Sequence, residues 1–239
     1  MDFLVGPLML TAAEEGNTKR LYSSLQFIRD INFEDNLQET ALHKGVSRGH
    51  WDIVQILLTK GASTEVTNYL GNTPLHIAVQ RDKLGIMDLL LNNGASTEAT
   101  DTGGSTPLHE ASFSGKIDAA KLLLDRGASI ECRDMGNRTP LHIAADSDDP
   151  DDPGVVELLL TNGASTEATD NWGNTPLHEA ARCGNTSATK LLLNNGASTD
   201  VRNNDKKTPS DLVLGRYPQV AQLLRNKAAE LAADHPPRA

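Results

Sequence analysis

The chain has 239 residues, 38% of them hydrophobic and only 4% aromatic, so its core rests on Leu, Ala, Val and Ile, a supply suited to many thin layers. A formal charge of -10 excludes sequence-independent binding to nucleic acid or an anionic membrane, which needs a basic footprint, and favours a protein partner with a basic patch. Cys132 and Cys183 have no framework spacing and form no CxxC pair, which excludes a disulfide scaffold or zinc site and predicts a reducing, cytoplasmic or nuclear setting.

In chain order, MDFLVGPLMLTAA has the apolar run of a secretory leader, but Asp2 stands where basic residues belong, so it reads as part of the fold. No apolar stretch approaches the roughly 20 residues that span a bilayer. PLMLTAAEEGN (Pro7 to Asn17) is a weak version of a pattern that then recurs plainly. ETALH begins at Glu39, NTPLH at Asn72, STPLH at Ser105, RTPLH at Arg138, NTPLH at Asn174 and KTPSD at Lys207. The threonines of these strings, Thr40, Thr73, Thr106, Thr139, Thr175 and Thr208, are spaced by 33, 33, 33, 36 and 33 residues. A second string keeps the same beat, from KGASTEV at Lys60 to NGASTDV at Asn195.

Each period reads as two helices and a turn. Thr73 caps and Pro74 takes the first helical position, where its missing N–H costs nothing. Gly49, Gly115 and Gly184 break the chain after that helix. Apolar runs such as IVQILL (Ile53 to Leu58) form the second helix, and Gly61, Gly94, Gly127, Gly163 and Gly196 end it in a left-handed residue. One helix pair cannot bury its apolar face alone, so neighbouring units must stack.

The TPLH strings and the 33-residue period resemble the ankyrin-repeat family, directly over residues 39–206 and more weakly at both ends. The resemblance implies an all-α solenoid of helix-turn-helix units joined by β-turn or hairpin fingers. Its units would be 6–38 (N-cap), 39–71, 72–104, 105–137, 138–173, 174–206 and 207–228 (C-cap), forming one domain over 1–228. Residues 229–239 would be a helical extension, to about Asp234, and a frayed tail. In length and short caps the chain is similar to stand-alone, gankyrin-like ankyrin proteins. The implied function is a monomeric, non-enzymatic protein-binding module (adaptor, chaperone or regulator), the alternatives being an inhibitor or effector that masks an enzyme site and, third in order, an enzyme or metal-binding protein on the same scaffold.

The chemistry-bearing residues do not converge. His43, His76, His109, His142 and His178 recur one unit apart, whereas metal ligands must meet at a point. The resemblance implies that each imidazole bonds to backbone in its own and the adjacent unit. Glu110 and Glu179 lie two units apart, roughly 20 Å by helix packing distances, too far for a carboxylate pair. No GxSxG, P-loop, dinucleotide fingerprint or HExxH occurs. The expectation is no catalytic residue, no metal and no cofactor.

The one departure from the period is AADSDDPDDPGVVELLL, starting at Ala144. Asp146 should end a first helix and Asp152 should cap the next, with Pro153 as its first residue. The loop over 147–153 reads as solvated, with partner binding or weak cation binding as alternatives. Partner-binding candidates fall in two sets. At the finger tips, behind the turn formers Asp35, Asn68, Asp101, Asp134, Asp170 and Asn203, stand the unexpectedly apolar Leu37, Tyr69, Leu70, Met135 and Trp172, which either anchor a partner or pack on neighbouring turns. On the first helices, which line the concave groove in the family, the variable candidates are Arg48, Ile77, Arg81, Glu110, Phe113, Ile143, Glu179 and Arg182. Beside them a ladder of Glu65, Glu98, Glu131, Glu167 and Asp200 either awaits a basic partner or bonds locally within its turns.

Overall fold

Thr40 shows why each first helix starts where it does: its backbone is extended (φ -88°, ψ 171°), and it closes a reciprocal capping box with His43 at the third helical position. The same box joins Thr73 to His76, Thr139 to His142, Thr175 to His178 and, with an aspartate in the imidazole's place, Thr208 to Asp211. The structure, a computed structural model, describes residues 2–146, 153–213, 215 and 217–234. The acidic stretch 147–152, with its cation and partner readings and the expected Asp152 cap, lies outside the described residues, as does the tail from 235.

The described residues are helical, without a strand. In chain order they form α1 (Asp2–Glu15), α2 (Thr18–Leu25), α3 (Ala41–Arg48), α4 (Trp51–Thr59), α5 (Pro74–Gln80), α6 (Leu84–Asn92), α7 (Pro107–Phe113) and α8 (Ile117–Asp125). There follow α9 (Pro140–Ala145), α10 (Gly154–Thr161), α11 (Pro176–Cys183), α12 (Thr186–Asn194), α13 (Pro209–Leu212) and α14 (Pro218–Asp234).

Two compact units result. The first takes the residues up to Ala111 with Asp118–Ser129, and the second Ser112–Ile117 with Ile130 onward. Within the first, α3 packs on α1, α4 and α5, and α6 on α4 and α5. Within the second, α11 packs on α9, α12 and α13, and α12 on α10 and α14. The leucine of each TPLH string sits at the bottom of this packing. Leu42, Leu75 and Leu108 in the first unit, and Leu141 and Leu177 in the second, are all but fully buried. Burying each contributes roughly 1.5–3 kcal/mol.

Left-handed residues punctuate the chain at the expected sites. Gly49 (φ 78°) and Gly184 (φ 77°) close α3 and α11, and Gly61 (φ 87°) follows α4. After α5, where no glycine is available, Asp82 takes the same conformation (φ 55°).

Two local expectations change. The first helix begins at Asp2, not at Pro7, which lies inside it. A proline in a helix interior forfeits the bond its N–H would give to the carbonyl four residues earlier; beside it Gly6 seats the Phe33 ring, whose atoms would lie 2.5 Å from an added Cβ. Pro153 stands at the cap of α10 rather than at its first position, with the helix starting at Gly154. The fingers are turns without paired strands among the described residues, within the β-turn or hairpin expectation. At the C-terminal end α13 has 4 residues and α14 runs from Pro218 to Asp234.

Candidate partner-binding surface

Each finger is built on one side chain. Asp35 Oδ1 accepts from the backbone N–H of Leu37 (2.8 Å) and Glu39 (3.0 Å), and Asn68 and Asp170 hold Leu70 with Asn72, and Trp172 with Asn174, in the same way. The backbone closes the turn in parallel, as Asn68 N–H donates to the Asn72 carbonyl at 3.0 Å. Main-chain bonds stitch neighbouring fingers within each unit. In the first unit Tyr69 N–H donates to Leu37 O (3.1 Å) and Thr102 N–H to Leu70 O (3.0 Å); in the second, Asn171 N–H donates to Gly136 O (3.0 Å) and Asn204 N–H to Trp172 O (2.9 Å).

The rigid turns hold their apolar tips in solvent. Leu37, Tyr69 and Leu70 in the first unit, and Met135 and Trp172 in the second, are between 45% and 73% exposed. They are not consumed by packing on neighbouring turns.

The first-helix candidates divide. Phe113 is 72% exposed, and Arg81 and Arg48 are at the surface, Arg48 pairing with Glu14 and thereby lowering the Glu14 pKa. In the first unit Arg48 and Arg81 line a groove of about 230 Å³ with Lys44, which bridges Asp35 (2.8 Å) and Glu39 (3.1 Å). Glu110 is half-buried and accepts from Gln80 Nε2 (3.4 Å). Ile77 and Ile143 face inward, 5% and 8% exposed, because an isoleucine one residue after the capping histidine continues the apolar face of α5 and α9. They offer no surface to a partner.

Glu179 is buried as well, 7% exposed, and burial raises its pKa. Arg182 Nη2 donates to Glu179 Oε2 and to Asp146 Oδ1, both at 2.6 Å. Burial alone would lower the Arg182 pKa, but its pairing with Glu179 and Asp146 outweighs that and raises it. Cys183 Sγ also donates to Asp146 Oδ1 (2.6 Å), and burial followed by that bond pushes the thiol up to about 12. Asp146, Glu179 and Arg182 border a second pocket, of about 210 Å³, together with Arg138, His142, Asp170, Trp172 and Asn174. The Asp146–Arg182–Glu179 bridge crosses 36 residues at one end and 3 at the other, so no local motif signals it.

The two ladders are structural. The backbone N–H of Thr73 donates to Nδ1 of His76 (3.2 Å), which leaves the proton on Nε2 to be donated to the Ser105 carbonyl at 3.0 Å. His43 Nε2 reaches the Asn72 carbonyl, His142 that of Asn174 and His178 that of Lys207, each in the following unit as the resemblance implied. The acidic ladder does more than bond within its own turn. Glu65 accepts from Ser96 N–H (3.0 Å), Glu98 from Ser129 N–H (2.9 Å), Glu131 from Ser165 N–H (2.8 Å) and Glu167 from Ser198 N–H (2.9 Å). The signal for this was in the sequence, since each GASTE-type string carries both the serine and the glutamate. Asp200, last in line, instead accepts from its own Ser198 hydroxyl.

Among the described residues no group of three or more His, Cys, Asp or Glu could hold a metal ion, and no helix is long and apolar enough to cross a membrane. What the arrangement offers is a set of fixed side chains on turns and short helices, suited to contact with another macromolecule.

Comparison with known proteins gives the architecture its family. The family described as ankyrin repeats (3 copies) matches over residues 8–101, 86–169 and 141–234. The chain belongs to the ankyrin-repeat family. No curated protein matches it. Among solved structures it is similar to the ankyrin repeat domain of Bcl-3, described as a unique member of the IkappaB protein family, at 28% identity and a TM-score of 0.80, over 91% of this chain and 97% of that one. It is also similar to the human ASB11 ankyrin repeat domain, at 28% identity and a TM-score of 0.79, over 92% of this chain and 96% of that one. Ankyrin repeats are in general protein–protein interaction modules, and the all-α repeat fold here is theirs.

Proposed function

We propose that this ankyrin protein is a non-enzymatic adaptor, chaperone or regulator that binds another protein through its finger tips and the exposed side chains of its first helices. The observation that carries this reading is the solvent exposure of Leu37, Tyr69, Leu70, Met135 and Trp172 on turns held by main-chain and side-chain hydrogen bonds. Large apolar and aromatic side chains held rigidly lose little entropy on binding, which makes them good anchors. Arg48, Arg81, Phe113 and Arg182 supply exposed side chains on the first helices. Neither Cys132 nor Cys183 is in a disulfide, in keeping with a cytoplasmic or nuclear home.

The experiment is affinity capture from cell lysate with the wild-type protein and with a Tyr69→Ala, Met135→Ala, Trp172→Ala variant matched for folding by circular dichroism. The folded variant should lose the proteins that the wild type retains. Equal retention would remove the finger tips from the binding surface.

A further inference from the structure

The pocket of the second unit carries a charge imbalance and two unused contact groups. Asp146, Asp170 and Glu179 line it with only two guanidinium groups, Arg138 and Arg182, and Arg138 is already paired with Asp134 (2.7 Å). Arg182 serves Glu179 and Asp146 together, so one cation neutralises two acids. Both bonds to Asp146 fall on Oδ1; among the described residues none falls on Oδ2, although the side chain is 34% exposed. At the same rim the indole of Trp172 is 61% exposed, with its backbone pinned to Asp170.

A free carboxylate oxygen, an excess of negative charge and an open indole face in a space of about 210 Å³ suit one kind of group. A guanidinium is planar enough to lie on an indole, and its fork matches a carboxylate edge; an ammonium ion does only the second, as a point charge. We propose that this pocket is the docking site for an arginine side chain of the protein partner, stacked on Trp172 and hydrogen-bonded to Asp146 Oδ2. The inference rests on the partner-binding reading above and specifies its chemistry in the second unit.

The test uses the full chain with Trp51→Phe, which leaves Trp172 as the sole tryptophan of the two in the sequence. Its emission is titrated with the blocked tripeptides Gly-Arg-Gly, Gly-citrulline-Gly and Gly-Glu-Gly at millimolar concentration. The arginine peptide should give a saturable change that weakens with salt, and the citrulline peptide, of the same shape but uncharged, should bind about tenfold more weakly or not at all. Asp146→Asn should weaken the arginine peptide to a similar degree. Equal responses to arginine and citrulline, or a response to the glutamate peptide, would overturn the proposal; both arms use the unaltered pocket in the Trp51→Phe chain, whose fold is matched to wild type by circular dichroism. If the finger-tip variant loses its captured proteins while the arginine peptide gives no response, the pocket assignment falls and the partner-binding reading stands.

Discussion

His76 Nε2 lies 3.0 Å from the carbonyl oxygen of Ser105, 29 residues further along the chain, while its Nδ1 receives the N–H of Thr73. The ring therefore works only in its neutral form, since a protonated Nδ1 could no longer accept.

Burial lowers the pKa of His43, His76, His142 and His178 from the ordinary 6.5. Between the lowered values and 6.5 the unfolded chain binds protons that the folded chain does not, so stability rises with pH there. The contribution of the four rings is complete above about pH 6.5 and declines as the pH falls through their folded values. Glu179, with its raised pKa, acts in the opposite sense but is one group against four. Urea unfolding should show a lower midpoint at pH 5 than at pH 7.5. A flat profile would mean that the rings are not buried as neutral acceptors.

The acidic ladder should behave as a clasp. Glu98→Ala removes the acceptor for Ser129 N–H and should cost about 1 kcal/mol, the value of a bond to a charged group discounted for exposure. Glu98→Gln keeps an oxygen at the same position and should recover most of that loss. Equal losses in the two variants, measured by chemical denaturation, would show that charge rather than the bond matters.

Two left-handed glycines make a matched pair. Gly71 (φ 78°) and Gly61 (φ 87°) would both strain under a Cβ, but at Gly71 the added atom would lie 2.6 Å from Thr102 N and 2.8 Å from the Asp101 carbonyl carbon, whereas at Gly61 nothing lies within 4 Å. Gly61→Ala should cost about 1 kcal/mol from conformation alone, and Gly71→Ala clearly more. The thermal midpoints of the two variants decide it.

Burial should separate structure from surface in the apolar residues. Leu75, fully buried in α5, should cost about 2–5 kcal/mol when changed to alanine. Phe113→Ala and Trp172→Ala, at exposed sites, should stay within about 0.5 kcal/mol of wild type. A large loss at Trp172 would mark it as a packing residue of the finger.

The Cys183 thiol, pushed up to about 12 by burial and then by its bond to Asp146, should alkylate slowly at pH 8. Asp146→Asn removes the neighbouring charge and should speed iodoacetamide labelling at Cys183 severalfold, read by peptide mass mapping. An unchanged rate would leave burial as the sole cause.

The sequence alone determined the repeat, the helix starts at Thr40, Thr73, Thr139 and Thr175, the left-handed stops after the helices, and the apolar character of the finger tips. All of these rest on interactions within a few residues or on a pattern repeated at fixed spacing, and such information is legible in one dimension. Only the tertiary structure decided which variable positions are surface. Ile77 and Ile143 looked like groove residues by their place in the unit and proved buried, because the packing of α5 and α9 fixes which face turns inward. Likewise Glu65 and Glu98 bond to serine N–H groups 31 residues away, and Asp146 meets Arg182 and Cys183, through contacts that exist only when helix pairs are stacked. The start of α1 at Asp2, ahead of Pro7, is of the same kind, since Phe33 against Gly6 rewards a helix that local propensity alone would not extend.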